Sequence, residues 1–195
     1  MTQSPTIQRA SQRIIVALAL TLLKHKISLW LRDITQAYVQ SATFLQRQIL
    51  AKLLKEIEHL YPKDTIIVVV KPLYGIAEAG THWWSTYSKH HKNKLQIETS
   101  TYDACLLITA SPDRFGIVGM QTDDTLGISD LSFAELEEKE LAKAGFTAKP
   151  KETLSIDAPL QFNGCVLTLQ QDGSIMLCQK GQGKSIQIIE TSANH

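Results

Sequence analysis

The sequence predicts an α+β fold built on antiparallel strands. Helical and strand patterns are interleaved along the 195 residues, and short polar turns at 111–114, 122–124 and 171–173 join neighbouring strands into hairpins. Hairpin-connected strands favour this class over a parallel doubly wound sheet. No internal repeat and no Gly/Ser/Pro-rich linker divides the chain, so we expect one structural unit.

Composition limits the classes of function. With 44% hydrophobic residues the chain can bury a core, and 20 Lys+Arg against 19 Asp+Glu give a net charge of only +1. Nucleic-acid binding would therefore need a local basic stripe. Three separated cysteines argue against a disulfide framework and predict a cytosolic or nuclear protein. The apolar segment 14–23 is too short to span a bilayer, so no membrane partner is expected.

The N-terminal half begins with a predicted helix, for which Ser4 and Pro5 supply the N-cap and first helical position. Residues 27–33 alternate with period two and place the carboxylate of Asp33 at the end of an apolar strand face. Segment 45–60 fits either a helix or a strand followed by a helix. Residues 65–70 are a β-branched run typical of a buried strand, and residues 76–95 show helical spacing.

The C-terminal half is richer in strands. Residues 104–110 and 115–121 form a predicted hairpin, and a tight turn at 122–124 leads into a third strand at 125–129. Ser132 and Glu135 match a capping box for a helix that ends near Gly145. Residues 162–169 and 174–178 predict a further hairpin.

Three aspartates are the candidate chemistry-bearing residues. Asp123 and Asp124 lie at a hairpin turn, and Asp33 ends a strand far upstream. A strand carboxylate facing a hairpin carboxylate can hold two Mg²⁺ ions about 3.5–4 Å apart for in-line phosphoryl displacement. Taken alone, aspartates in such positions more often belong to an ordinary solvated turn or strand end.

The order of several motifs resembles the reverse transcriptase of copia-type long-terminal-repeat retrotransposons. The matching segments cover nearly the whole chain and are SPTIQRASQRIIVALAL (4–20), RDITQAYVQS (32–41), VVKPLYGIAEAGTHWW (69–84), TYDACLLI (101–108), MQTDD (120–124), FNGCVLTL (162–169) and QKGQGKSIQII (179–189). The resemblance implies a palm with an antiparallel sheet and packed helices. It also implies RNA-directed DNA polymerase activity with Mg²⁺ or Mn²⁺, an RNA or DNA template–primer, and deoxynucleotides.

The resemblance also assigns roles to residues. Asp33, Asp123 and Asp124 correspond to the metal triad, and Tyr38 to the aromatic gate under the incoming sugar, with a core tyrosine as the alternative. Glu78 occupies a position near the nucleotide where the family mostly has Gln. Phe162 and Gly164 fall in the primer-gripping hairpin.

One helix adds a further candidate surface. Lys89, with Lys92, Lys94 and the aromatic Trp83, fits a helix that tracks a template strand by charge and stacking. The alternative is an amphipathic core helix with a solvated face.

The chain departs from the family pattern at several points. Gln121 replaces an aromatic residue, Glu78 replaces Gln and Gly80 replaces Pro. We expect a partial domain with incomplete fingers and thumb, divided approximately into a lead-in at 4–30, a palm at 31–170 and the start of the thumb at 171–195. Activity of such a fragment is doubtful. The alternative is an inactive or domesticated retroelement remnant that at most binds nucleic acid or serves as an interaction module, and no sequence signal indicates an oligomeric state.

Overall fold

The computed structural model describes residues 4–181, 183 and 186. Its helices are α1 (Arg9–Leu22), α2 (Lys55–Glu58), α3 (Ala79–Leu95) and α4 (Leu131–Lys143), with short 3₁₀ turns at Leu23–His25 and Ala37–Gln40. The strands are β1 (Ser28–Asp33), β2 (Ile49–Lys52), β3 (Ile66–Val69), β4 (Ile97–Thr99), β5 (Leu106–Thr109), β6 (Gly116–Gln121), β7 (Asp124–Ser129), β8 (Glu152–Thr153), β9 (Leu160–Phe162), β10 (Cys165–Leu169) and β11 (Ile175–Gln179).

The centre of the protein is a six-stranded sheet in the order β4-β5-β6-β7-β1-β8. All its strand pairs are antiparallel, as are those of the smaller β9–β10–β11 sheet and the β2–β3 ribbon. The mixed α+β class with antiparallel sheets is therefore confirmed. Among the described residues no helix is both long and apolar enough to cross a membrane.

The central sheet is covered on both faces. A Cβ added to Gly119 would lie 2.3 Å from the side chain of Ile7 and 3.0 Å from that of Ile15 in α1, whereas one added to Gly116 would lie 2.7 Å from the Phe133 ring of α4. Since neighbouring residues of a strand point to opposite faces, α1 and α4 lie on opposite sides. Leu29 and Leu31 share with Asp33 the face that was predicted to be apolar. Residues 29–32 of β1 are all buried, so the opposite face of the strand is covered as well.

Helix α3 lies on the α4 side of the sheet. The Tyr87 hydroxyl is 3.2 Å from the Thr125 hydroxyl of β7, and the rings of Trp83 and Tyr87 stack with centroids 4.9 Å apart. Phe146 meets both rings edge-on. The apolar stripe of α3 therefore belongs to the core.

Both predicted helix caps differ from the observed ones. Helix α1 begins at Arg9 with Gln8 as its N-cap residue, and the Gln8 N–H donates to the buried Asp103 carboxylate at 2.8 Å. Helix α4 is capped by Asp130, which accepts from the Phe133 N–H at 2.7 Å. The capping box assigned to Ser132 is wrong.

The ambiguous segment 45–60 forms β2 followed by the short helix α2. Within the described part of the chain strand β3 pairs only with β2, and Ile66, Ile67 and Val68 are exposed. The prediction of a buried strand at 65–70 is therefore wrong, because strand propensity does not provide a covering layer. The predicted strand 162–169 is divided by a turn at Asn163–Gly164 into the end of β9 and β10. Of the predicted thumb segment 171–195, residues 182, 184, 185 and 187–195 lie outside the described residues.

Candidate active site

Three carboxylates meet at one end of the β1–β7 strand pair. Asp33 ends β1 and is the register partner of Asp124, the first residue of β7. Residues directly opposite each other in an antiparallel pair have Cβ atoms about 4.5–5.5 Å apart on the same face. Asp123 lies in the two-residue turn that joins β6 to β7. The fold thus brings Asp33 close to Asp123, which lies 90 positions later in the sequence.

The turn that carries Asp123 is held from two sides. Thr122 adopts a left-handed backbone conformation with φ of 55°, and its carbonyl accepts the Trp83 indole N–H at 2.8 Å. The Asp123 carbonyl accepts the Ile34 N–H, just after β1, at 3.0 Å. Core packing of α3 and the end of β1 therefore fix the acidic turn.

The carboxylates influence one another electrostatically. Burial, followed by the charges of Asp123 and Asp33, raises the pKa of Asp124 to about 6. Lys149 opposes this shift, because its ammonium group forms an ion pair with the Asp33 carboxylate. Lys149 is placed there by its backbone, since its N–H donates to the Asp33 carbonyl at 2.9 Å.

The chemistry of this donor set fits a hard divalent cation. Carboxylate oxygens are the ligands that Mg²⁺ prefers. The pKa of Asp124 is raised first by burial and then by the charges of Asp123 and Asp33. Within residues 4–181, no group of three or more His, Cys, Asp and Glu side chains is close enough to hold a metal as arranged. The Lys149 ammonium is the cation that Asp33 contacts.

Two tyrosine rings border the acidic turn. Tyr38, in the 3₁₀ turn Ala37–Gln40, packs against Tyr74 with ring centroids 4.4 Å apart. Burial and the negative charge of Asp123 raise the pKa of both phenols. The sequence motif at 69–84 contained Tyr74 without giving it a role, and its place beside Tyr38 became visible only in the structure.

Glu78 is not a free anion. Its carboxylate accepts two hydrogen bonds from the Arg47 guanidinium, at 2.6 and 2.9 Å, and this lowers the pKa of Glu78. The ion pair lines a recess of about 710 Å³ next to the start of α3. Arg47 was absent from the sequence prediction, because nothing in the local pattern linked it to a residue 31 positions away.

The two α3 candidates have different environments. Trp83 is 0% exposed, so its ring cannot stack on a nucleotide, and its assignment to nucleic-acid contact is wrong. Its burial follows from contacts with Tyr87, Phe146 and the acidic turn. Lys89 is exposed on the other side of the helix.

The hairpin candidates lie near the acids. Gly164, with φ of 75° and open space around it, lines a recess of about 390 Å³ together with Asp123 and Asp124. Phe162 is buried and lines a different groove of about 720 Å³ against α1. The sequence prediction missed Lys180, which lines the smaller recess and donates to Gln161 at 2.7 Å.

Comparison with known proteins gives no match from which the function of this site could be inferred. No protein-family model, no curated protein and no solved structure matches the chain. What the geometry offers is a cluster of partly buried carboxylates, with a tyrosine pair near Asp123 and a recess that also contains a lysine. Carboxylate oxygens are the usual ligands of hard divalent cations, and a lysine ammonium group attracts phosphate.

Proposed function

We propose that the protein is the palm of an RNA-directed DNA polymerase of the copia-type retrotransposon class, acting in the cytosol or nucleus. Asp33, Asp123 and Asp124 would hold Mg²⁺ or Mn²⁺, which when bound activates a primer hydroxyl and stabilises the leaving phosphate oxygen. The substrates would be deoxynucleotides and an RNA or DNA template–primer. The proposal combines the sequence resemblance with the geometry of the acidic cluster.

The observation that carries the proposal is the register pairing of Asp33 with Asp124 beside a turn that contains Asp123. The motif resemblance required these three residues to meet, although nothing in their sequence spacing brings them together. Partial burial of Asp124 also supports the proposal. Burial raises the pKa of this carboxyl group, and strongly shifted pKa values are frequent at functional sites.

The surrounding residues provide places for the substrate. The packed rings of Tyr38 and Tyr74 form a rigid wall beside Asp123 that would limit the space for a sugar. On another side of the acids, Gly164 and Lys180 line the adjoining recess, where backbone approach and a positive charge suit a phosphodiester. The Lys149 ammonium would have to leave Asp33 when a cation binds.

The test is primer extension on an RNA template with Mg²⁺, using the whole chain and its Asp123→Asn variant. Asp113→Asn is the matched control, because Asp113 is an exposed aspartate in the neighbouring β5–β6 turn. We expect extension by the wild type and the control, and a loss of at least about 100-fold in the Asp123 variant. Absence of extension by the wild type, or equal extension by all three, would refute polymerase activity.

A second function is favoured by the ion pair between Lys149 and Asp33. A carboxylate already neutralised by a lysine suits an inactive remnant that binds nucleic acid or a partner without catalysis. In that case the chain would bind template–primer with an affinity that decreases with salt, and neither Mg²⁺ nor Mn²⁺ would support extension. Binding with no salt dependence would count against a nucleic-acid role of the remnant.

A further inference from the structure

Helix α3 presents a concentration of positive charge that the acidic site does not use. Between Ala79 and Leu95 it contains three lysines, three histidines and no acidic residue, while the whole chain has a net charge of only +1. Lys89, Lys92 and Lys94 are exposed, and none of them forms a salt bridge in the part of the chain that the structure describes. Unpaired lysines on one helix attract an anionic partner.

Two of these lysines, Lys89 and Lys94, border a groove rather than a flat surface. One recess of about 460 Å³ is lined by Lys89, Lys94 and Asn93, and the recess of about 710 Å³ lies next to it, since Thr43 and Ser85 line both. From the level of His82 to that of Lys94, α3 rises about 18 Å. That length matches about five nucleotides of a stacked strand at about 3.4 Å each.

Aromatic rings occur at both ends of the groove. Phe44 lines the larger recess and is 61% exposed, with the Lys71 ammonium 5.8 Å from its ring centroid. Phe146 lines the smaller recess. A positively charged groove with aromatic side chains is the usual arrangement for single-stranded nucleic acid, in which phosphates follow the charges and bases stack on the rings.

The carboxylates near the groove are already neutralised by partners of their own. Glu78 is paired with Arg47, and Glu140 with Lys143. The His90 side chain also lines the smaller recess, and its buried Nε2 atom has no hydrogen-bond partner among the described residues. The groove therefore combines lysine ammonium groups with hydroxyl groups, which are donors suited to phosphate oxygens.

We propose that this α3 groove binds the backbone of a single-stranded nucleic acid, at a surface distinct from the acidic site. Asp33 and Asp124 share the sheet face of Leu126, which pairs with Gly119 against α1, whereas α3 contacts the opposite face through Thr125. Binding in the groove therefore does not depend on the polymerase proposal. The strand lies with its phosphates near Lys89 and Lys94 and a base against Phe44.

The experiment measures fluorescence anisotropy of a labelled oligothymidylate of about 12 nucleotides in EDTA, from about 50 to 200 mM salt. We expect Lys89→Gln/Lys94→Gln to weaken binding about tenfold and to reduce the salt slope by about 1.4, because single strands contribute about 0.7 per phosphate contact. Lys24→Gln/Lys55→Gln removes the same charge from exposed positions elsewhere and should leave binding unchanged. Because the assay contains EDTA and measures binding of a strand without a primer, its result is separate from a failure of primer extension.

A second variant tests the nature of the ligand. Phe44→Ala should weaken oligothymidylate binding at least about fivefold without changing the affinity for inorganic polyphosphate, because polyphosphate has no base to stack. The proposal is overturned if the wild type does not bind the oligonucleotide, or if the Lys89/Lys94 variant binds as the wild type does. Equal losses for oligonucleotide and polyphosphate in Phe44→Ala, or lysine-dependent binding only to phosphatidylserine vesicles, would also overturn it.

Discussion

Two Arg–Glu pairs of similar geometry should differ strongly in their contribution to stability. Arg32 binds Glu137 through two hydrogen bonds of 3.1 and 2.7 Å, and these side chains are only 2% and 0% exposed. Arg47 binds Glu78 through bonds of 2.6 and 2.9 Å, with exposures of 60% and 23%. The two pairs differ chiefly in burial, and the buried pair has the further partners Glu138 and Lys151.

We expect Arg32→Met to lower the free energy of unfolding by about 3–5 kcal/mol, because it leaves the buried Glu137 carboxylate with only one of its cations, Lys151. Burial lowers the pKa of Arg32, but the hydrogen bonds and charges of Glu137 and Glu138 outweigh burial and leave it above its ordinary value. Arg47→Met should cost less than about 1 kcal/mol, as is usual for exposed pairs.

The assay is equilibrium unfolding in urea, followed by far-ultraviolet circular dichroism, for both variants under the same conditions. Arg32→Met/Glu137→Leu should recover part of the loss, because the double change removes the buried carboxylate that has lost one of its two cations. Equal destabilisation by Arg32→Met and Arg47→Met would refute the reasoning, and so would a cost below about 1 kcal/mol for Arg32→Met.

Three further changes test other parts of the structure. Gly127→Ala would place a Cβ 2.1 Å from the Trp30 ring and should cost about 3 kcal/mol in thermal unfolding; an unchanged melting temperature would contradict that packing. Burial lowers the pKa of His91 from 6.5 to about 4. Between pH 6.5 and pH 4 the free energy of unfolding of the wild type should therefore fall by up to about 3 kcal/mol more than that of His91→Gln. The control His25→Gln changes an exposed histidine and should behave as the wild type does. Asp33→Asn should change the free energy of unfolding in urea by less than about 1 kcal/mol, because the Lys149 side chain of its ion pair is exposed.

The acidic hairpin was predictable because its signals are local. Two apolar strands joined by a short polar turn define β6, β7 and the position of Asp123. Pairing of β1 with β7 was implied only by the motif resemblance. The Lys149 contact with Asp33 spans 116 positions and depends on backbone bonding beside β1, so no local pattern contained it.

The cap of α4 shows how tertiary contacts choose between local alternatives. Asp130 and Ser132 are both common N-cap residues, and Ser132 has the Glu three positions later that favours it by sequence. In the fold, the Asp130 carboxylate accepts both the Phe133 N–H and the Phe115 N–H. The second bond ties the helix to the start of β6, and the Ser132 hydroxyl instead accepts from Arg114 at 3.2 Å.

Helical spacing likewise identified an apolar stripe on α3 but not its role. The sequence allows either a nucleic-acid surface that contains Trp83 and Lys89 or a core helix with a solvated face, and the burial of Trp83 supports the core helix. The structure places Trp83 in the core and leaves the lysines with the exposed ring of Phe44, which comes from a distant loop. Charge and stacking can still act together there, through a different aromatic residue.

Arg32 and Asp33 are neighbours in β1, and changes at these two positions test the stability of the fold and the chemistry of the site separately. Arg32 points into the buried ion network under α4, while Asp33 lies on the opposite face and is paired with Lys149, which is 61% exposed. If Asp33 serves catalysis, Asn at this position should abolish extension without appreciable unfolding, because removal of one negative charge also relieves repulsion on Asp124. If Asp33 is a structural ion-pair partner, Asn should reduce stability in the same way as Lys149→Gln does, and extension should be absent from the wild type. The two measurements on Asp33→Asn therefore distinguish a polymerase from a remnant that has kept only its fold.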